Sequence, residues 1–346
     1  MSEQPAILVT GGAGYIGSHG CRALTAAGYQ PVVFDNLSTG HRNFVTGPLV
    51  VGELVDRAAL ARVFAQHRIV AVMHFAASSL VGESVTDPQK YYANNVAGTL
   101  SLLAAMRDAG CHRLVFSSTG AVYGDAESKA LPESSAGAPI NPYGASKWMI
   151  EQILADYRRA YGFGSFCLRY FNASGADASG EIGELRDNET HLIPRAMMAL
   201  QGRISDFAVF GDDYQTPDGT AIRDYIHVTD LAAAHVLALR MLMQGHRGGA
   251  FNLGTGKGFS VREILAAIAA ETGRDVPHLV KPRRSGDPTY LVADPTAARE
   301  TLQFHTAHSD LATIIRTAWA WHKKAHPLRT SAPFPPAAGR RRPPDR

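Results

Sequence analysis

Short apolar runs alternate with helical stretches along the first half of the chain, and that alternation leaves few folds open. The runs Ala6–Thr10, Pro31–Phe34, Val70–Phe75, Arg113–Ser118 and Ser165–Tyr170 are almost continuously apolar. Strands with this character are buried on both faces. Between them, roughly Ile16–Ala27, Arg57–Gln66, Gln89–Ala109 and Tyr143–Tyr161 carry helical patterning. The alternation predicts an α/β fold built on a doubly wound parallel sheet with helices on both faces.

After about Asn172 the pattern changes. Segments become richer in Gly, Pro and Asp, as in DDYQTPDGT, although helices are expected at Leu192–Leu200, Leu231–Met243, Val261–Glu271 and Leu311–Lys324. This predicts a main domain over residues 1–172. A smaller mixed α/β region follows over 173–328, with segments returning to the main sheet. Residues 329–346 are Pro-, Ala- and Arg-rich without periodicity and read as a disordered basic tail.

Charge and cysteine usage narrow the function classes. The formal net charge is +3, but the tail alone holds five arginines and one aspartate. The remaining 29 basic and 30 acidic groups leave the body near neutral, so no nucleic-acid partner is expected. No apolar run approaches the ~18 residues needed to cross a bilayer, and no membrane partner is expected. The start, MSEQPAILVTGG, has neither a basic n-region nor a long apolar core. Cys21, Cys111 and Cys167 are odd in number and widely spaced, which suits buried free thiols in a reducing cytoplasm.

Directly after the first run comes TGGAGYIGSH, with Gly11, Gly14 and Gly17 spaced G-x-x-G-x-x-G ahead of a helix. Glycines there allow a tight turn and a close backbone approach to a pyrophosphate, and the helix N-terminus favours the same anion. Asp35 ends the second run about 20 residues on, where a carboxylate binds ribose hydroxyls and repels a 2′-phosphate. Strand, glycine loop, helix and carboxylate together predict a Rossmann fold that binds NAD in preference to NADP. Arg42 is the one cation close by that could offset this preference.

Tyr143-Gly-Ala-Ser-Lys147 opens the last helix of this half, and positions i and i+4 share a face. A lysine ammonium beside a tyrosine favours the phenolate, which can take a hydroxyl proton while the carbon gives up two electrons to NAD. The preceding strand ends in Ser117-Ser118-Thr119, and ligands sit beyond the carboxyl ends of parallel strands. Thr119 is therefore expected beside the hydroxyl that Tyr143 addresses. His322 and His326 in WHKKAH have no carboxylate or cysteine partner and read as a solvated helix face, so no metal site is expected.

With these elements in place, the chain resembles the extended short-chain dehydrogenase/reductase family, and within it the NAD-dependent sugar-nucleotide epimerases. The resemblance runs from Ile7 to about Lys324 through VTGGAGYIGSH, FDNLSTG, HFAASSLVGESV, YYANNVAGT, FSSTGAVYGD, NPYGASKWMIEQIL, LRYFNASGAD, DGTAIRDYIHVTDLAAAH, FNLGTGKGFSV and PRRSGDP. It implies an isomerase that interconverts UDP-glucose and UDP-galactose through a 4-keto intermediate and transient NADH. It also implies a cytoplasmic homodimer, an NAD-binding domain over 1–172 and a UDP-sugar-binding region beyond it.

The resemblance assigns residues as well. Gly11, Gly14, Tyr15, Ile16 and Gly17 match the pyrophosphate loop, and Asp35 and Asn36 the adenosine ribose site. Glu53 and Leu54 match the adenine side. Phe75, Ala76, Ala77, Asn95, Tyr170 and Phe171 match the nicotinamide end, which Tyr143 and Lys147 also reach. Thr119, Tyr143 and Lys147 match the catalytic trio. Asn172, His191, Leu192, Arg223, Arg284 and Asp287 match the UDP-sugar site, together with Thr119 and Tyr143.

Some positions depart from the family pattern. Glu53 stands where aspartate is frequent, Ser79 where some members have lysine, Thr119 where serine is usual and His191 where others have asparagine. Dehydratases and decarboxylases of the same fold carry a carboxylate after the strand-end hydroxyl, whereas here Thr119-Gly120-Ala121-Val122 follows. A non-catalytic NAD-sensing module would not need Thr119, Tyr143 and Lys147. The resemblance implies that a residue near Leu291 shapes the hexose pocket, and the size of leucine leaves acceptance of N-acetylated sugars open. Galactose breakdown and supply of UDP-galactose for exopolysaccharide are both compatible with the chain.

Overall fold

The apolar runs pair side by side in a computed structural model that describes residues 4–126, 128–135, 137–284 and 287–326. Strand β1 (Ala6–Thr10) leads into helix α1 (Tyr15–Ala26), then β2 (Gln30–Asp35), β3 (Leu49–Val51) and α2 (Arg57–Gln66). Next come β4 (Ile69–His74), α3 (Val81–Thr86), α4 (Pro88–Tyr91) and α5 (Gly98–Asp108). Strand β5 (Arg113–Thr119), β6 (Ser128–Leu131), α6 (Pro142–Tyr161) and β7 (Gly164–Tyr170) complete the first half.

The second half holds β8 (Asn172–Ser174), α7 (Leu192–Leu200), β9 (Ala208–Phe210), β10 (Ile222–His227), α8 (Val228–Met243) and β11 (Gly248–Leu253). It ends with β12 (Gly258–Ser260), α9 (Val261–Thr272), β13 (Leu279–Lys281), β14 (Tyr290–Ala293), α10 (Thr296–Leu302) and α11 (Leu311–Ala325). The main sheet is parallel throughout, in the order β11-β7-β5-β4-β1-β2-β3. A second sheet runs β12-β10-β14-β6 with β8 beside β10, and β13 pairs with β9. The doubly wound α/β fold expected from the alternation is therefore present.

Alternate residues of β1 serve opposite cores. Ile7 and Val9 pack with Leu24 of α1 and Leu231 and Leu239 of α8. Leu8 packs with Leu60 of α2, Leu102 of α5 and Leu154 of α6. Burial on both faces explains why the strand shows no polar alternation. Strand order reverses at β1, whose neighbours β2 and β4 lead away in opposite directions, and this opens a crevice at the carboxyl ends.

Two local expectations change, and one strand appears that no apolar run marked. The stretch Gln89–Ala109 is not one helix, because a π-helical segment, Tyr92–Ala97, interrupts it. The wide turn carries Asn95, whose amide nitrogen donates to Ser78 O at 3.0 Å and whose Oδ1 accepts from Ser78 N at 2.8 Å. Strand β11, which has no apolar run, extends the main sheet beside β7; its start at Gly248 takes φ +87°. His322 is buried and not solvated: its Nε2 lies 3.0 Å from Gln201 Oε1, and its ring packs 4.7 Å from that of His326. The expected tail, 329–346, lies outside the described residues.

An ion pair at the centre of the first half joins β5, α6 and β7. Arg169 Nη2 donates to Glu151 Oε2 at 2.6 Å, Nε reaches Oε1 at 3.0 Å, and both side chains are only 5% exposed. Arg169 Nη1 also donates to Tyr123 Oη at 2.7 Å, and Tyr123 donates to Asn252 Oδ1 at 2.8 Å. Removing one member of such a pair strands a charge in a low-dielectric site. Arg169→Met is therefore expected to lower unfolding free energy by about 3–5 kcal/mol in urea titrations. Arg169→Met with Glu151→Met should recover most of that loss. Equal losses in the two variants would mean that the pair is not the coupled unit described.

Candidate active site

The glycine loop packs against the strand end because two β-carbons are missing. A β-carbon on Gly11, which takes φ +73°, would lie 2.5 Å from Ala76 N, and one on Gly17 would lie 2.1 Å from Gly11 O. Gly14 is different: the nearest atom to a β-carbon there is Gly11 O at 3.4 Å, so space opens beyond it. Gly14 also caps α1 without any side-chain hydrogen bond, and no acidic residue occupies the first turn. The amides at this N-terminus are thus available to an anion, which fits the pyrophosphate of a dinucleotide.

The residues expected around that cofactor lie along the same crevice. Asp35 is buried at the end of β2, where Oδ2 accepts from Ala13 N at 3.0 Å and Oδ1 from Leu37 N at 2.8 Å. These bonds aim the carboxylate at the loop. Asn36 Nδ2 reaches the Glu53 carboxylate at 3.1–3.2 Å on the rim, and Leu54 is buried beside Gly98. Phe75 packs 4.7 Å from His235, and Ala76 and Ala77 follow it past the end of β4. Tyr15 Oη donates to Gly175 O at 2.6 Å, while Ile16 packs into the core beneath.

The hydroxyls gather at the end of β5. Thr119 Oγ1 accepts from Ala121 N at 3.1 Å, starting a tight turn, and the Thr119 hydroxyl lies close enough to Tyr143 to favour its phenolate. Tyr143 stands in the first turn of α6. Asn141 caps that helix by accepting from Gly144 N at 2.9 Å, and Pro142 fills the first position. Burial pushes the Tyr143 phenol up; the Thr119 hydroxyl and the Arg186 charge act against it.

Lys147 departs from the expected geometry. Its ammonium does not bond the tyrosine but donates to Ser117 O at 2.8 Å and lies 4.7 Å from the centre of the Phe116 ring. Burial pushes it down to about 7, with Glu151 opposing. Tyr170 Oη pairs closely with Ser117 Oγ, and Phe171 stacks on Tyr123 across Gly120.

The remaining expected residues each have partners of their own. Arg223 of β10 pairs with Asp287, and the Arg284 guanidinium lies 3.8 Å from the centre of the Phe210 ring. Asn172 Nδ2 donates to Asp224 O at 3.0 Å. Leu291 packs with Val122, Tyr123 and Phe171, next to the hydroxyl cluster. His191 and Leu192 start α7, where Leu192 packs into the helical core.

Sequence reasoning passed over two participants. Arg186 Nε donates to Glu184 Oε1 at 3.0 Å, and His191 Nδ1 lies 2.7 Å from the same oxygen. Burial works against the Glu184 charge, yet His191 and Arg186 outweigh it and hold the carboxyl below its usual range. The group places a cation, Arg186, where its field reaches Tyr15, Tyr143 and Tyr170. Phe210, under Arg284, was also missed. Both lie in the irregular second half, where neither helical nor strand spacing marks a face.

Known proteins similar to this chain belong to one family. The NAD dependent epimerase/dehydratase family matches residues 7–254. A UDP-glucose 4-epimerase of Rhizobium leguminosarum bv. trifolii is 52% identical over 321 residues, covering 92% of this chain and 98% of its own. Among solved structures, UDP-glucose 4-epimerase from Brucella ovis in complex with NAD is 56% identical with a TM-score of 0.89, covering 91% of this chain and 97% of its own. The Bifidobacterium longum enzyme, in complex with NAD+ and UDP, is 35% identical with a TM-score of 0.87, covering 93% and 99%. The chain belongs to the NAD dependent epimerase/dehydratase family.

Proposed function

We propose that the chain is a UDP-glucose 4-epimerase that interconverts UDP-glucose and UDP-galactose. The observation that carries this reading is the meeting of the Tyr143 and Thr119 hydroxyls at the carboxyl end of β5, with Lys147 buried one helical turn away. The uncapped glycine loop and the aimed Asp35 carboxylate support NAD as the resident cofactor. When bound, NAD supplies the two-electron acceptor and donor for the sugar carbon.

Tyr143 removes the proton from the sugar 4-hydroxyl and later returns it, with the Thr119 hydroxyl orienting the same oxygen. Lys147, fixed on Ser117 O and on the same helix face, holds a positive potential that favours the phenolate. Gly11, Gly14, Tyr15, Ile16 and Gly17 frame the pyrophosphate, and Asp35, Asn36, Glu53 and Leu54 the adenosine. Phe75, Ala76, Ala77, Asn95, Tyr170 and Phe171 line the nicotinamide end. Arg223 and Arg284 hold the diphosphate, because guanidinium forks match phosphate oxygens, and Asp287 holds the uridine ribose. Asn172, His191 and Leu192 complete the nucleotide-sugar side. With one half held, the 4-keto hexose turns over and presents its other face. Remote binding energy thus serves the reacting end.

In this reading, residues 1–172 mainly bind NAD and 173–328 mainly bind the UDP-sugar, although β11 and α8 return to the first domain. No helix among the described residues is long and apolar enough to cross a membrane. The three cysteines are buried and unpaired, which supports a reducing, cytoplasmic setting. Both galactose breakdown and supply of UDP-galactose for exopolysaccharide would use this activity. Exposed Val85, Leu100 and Met149, on α3, α5 and α6, support a homodimer joined through these helices.

Three outcomes are expected. Tyr143→Phe keeps the ring but loses the ionisable oxygen; turnover should fall by ~10²–10⁴-fold while UDP-sugar affinity changes little. Near-normal turnover in folded protein would overturn the mechanism. Denaturing the purified protein should release NAD(H), and mainly NADP(H) would refute the role given to Asp35. Light scattering should give twice the 37.1 kDa chain mass; a monomer at all concentrations would remove the dimer.

A further inference from the structure

Helix α6 presents Tyr143, Lys147 and Glu151 at four-residue spacing toward the end of β5. Each is tied to a different strand residue. Tyr143 meets the Thr119 hydroxyl, Lys147 Nζ donates to Ser117 O at 2.8 Å, and Glu151 Oε1 accepts from Ser118 Oγ at 2.5 Å. Three consecutive residues of the strand are thus read by three turns of one helix. The third of these ties belongs to a carboxylate to which the chemistry above gives no part.

We propose that Glu151 is a positioning residue of the active site: anchored by Arg169, it fixes the seat of α6 on β5 and supplies the counter-charge to the Lys147 ammonium. The proposal rests on the assignment of Tyr143 and Lys147 as the acid–base pair. A purely structural ion pair could join α6 to β7 through Arg169 alone. Glu151 does more, because its carboxylate also bonds the strand residue lying between the two that Tyr143 and Lys147 engage.

The charged and titratable surroundings are few. Lys147 has Tyr143 and Glu151 on its own helix and His74 facing it from β4. Glu151 meets Arg169 and Cys167 from β7, and Tyr123 stands behind Arg169. Burial holds His74 neutral, down to about 3, and pushes the Cys167 thiol up. Glu151 is thus the one anion in this set that opposes the burial of Lys147. Without it, Lys147 sheds its proton at lower pH, and the positive potential beside Tyr143 is lost earlier as pH rises. Arg169 cancels part of the carboxylate field, so the displacement is about one pH unit.

The test is kcat against pH in the full-length enzyme with its own bound cofactor. In Glu151→Gln the high-pH limb should move down by about one unit, with KM for UDP-glucose within about twofold. Glu151→Asp, which keeps the charge, should restore the limb. If the single variant unfolds because Arg169 is stranded, Glu151→Gln with Arg169→Gln leaves no charge unpaired and should show the same displacement. A limb that stays in place in any folded variant lacking the carboxylate overturns the proposal. Retained turnover in Tyr143→Phe would instead overturn the acid–base assignment on which it rests, so the two failures are distinguishable.

Discussion

The close approach of the Gly11 loop to the end of β4 is the constraint from which the rest of the site follows. It exists only because no side chain stands between Gly11 and Ala76, or between Gly17 and the Gly11 carbonyl. A β-carbon at either place would overlap backbone, which cannot rotate aside as a side chain can. The approach brings the start of α1 against the strand end that carries Phe75 and Ala76. Strand β5, next in the sheet, then sets Thr119 on the same rim. Cradle and hydroxyl cluster are therefore neighbours by sheet order, not by any flexible arrangement of loops.

Residues related by a fixed repeat were legible before the fold was known. The spacing of Tyr143 and Lys147 needs only the helical period, and the position of Thr119 needs only the end of an apolar run. Asp35 followed from its place after the second strand. Relations across long stretches of chain were not derivable from spacing. Arg223 and Asp287 meet only because β10 lies beside β14, and resemblance to a family, not periodicity, pointed to them. The π-helical turn at Asn95 was hidden because one wide turn leaves the apolar pattern on either side nearly intact. Strand β11 was hidden because it begins with two glycines and shows no apolar run.

Lys147 shows the difference between placement and partnership. The helical period set it on the face of Tyr143, and it is there. What the period could not show is that the nearest acceptor is the Ser117 carbonyl, offered by a strand end that sequence spacing does not locate in space. The same limit hid Arg186, whose loop is held from several directions. His41 lies 3.1 Å from Leu185 O, and Trp321 Nε1 donates to Glu184 O at 2.7 Å. That loop is set by contacts from α11 and from the segment after β2, so no local pattern marks it.

The Arg223–Asp287 pair has a consequence for ligand entry. The guanidinium is 12% exposed and already holds an internal anion. Most of its hydration was surrendered when the chain folded, so under the proposed function an arriving diphosphate would meet a cation that needs little further drying. Binding would then be a change of partner, with the freed carboxylate taken up by hydroxyl donors of the ligand. A small inorganic anion could offer charge to the arginine but no hydroxyls to the carboxylate, and would leave Asp287 uncompensated. Discrimination would then follow from requiring a ligand that satisfies both ends of the exchange at once.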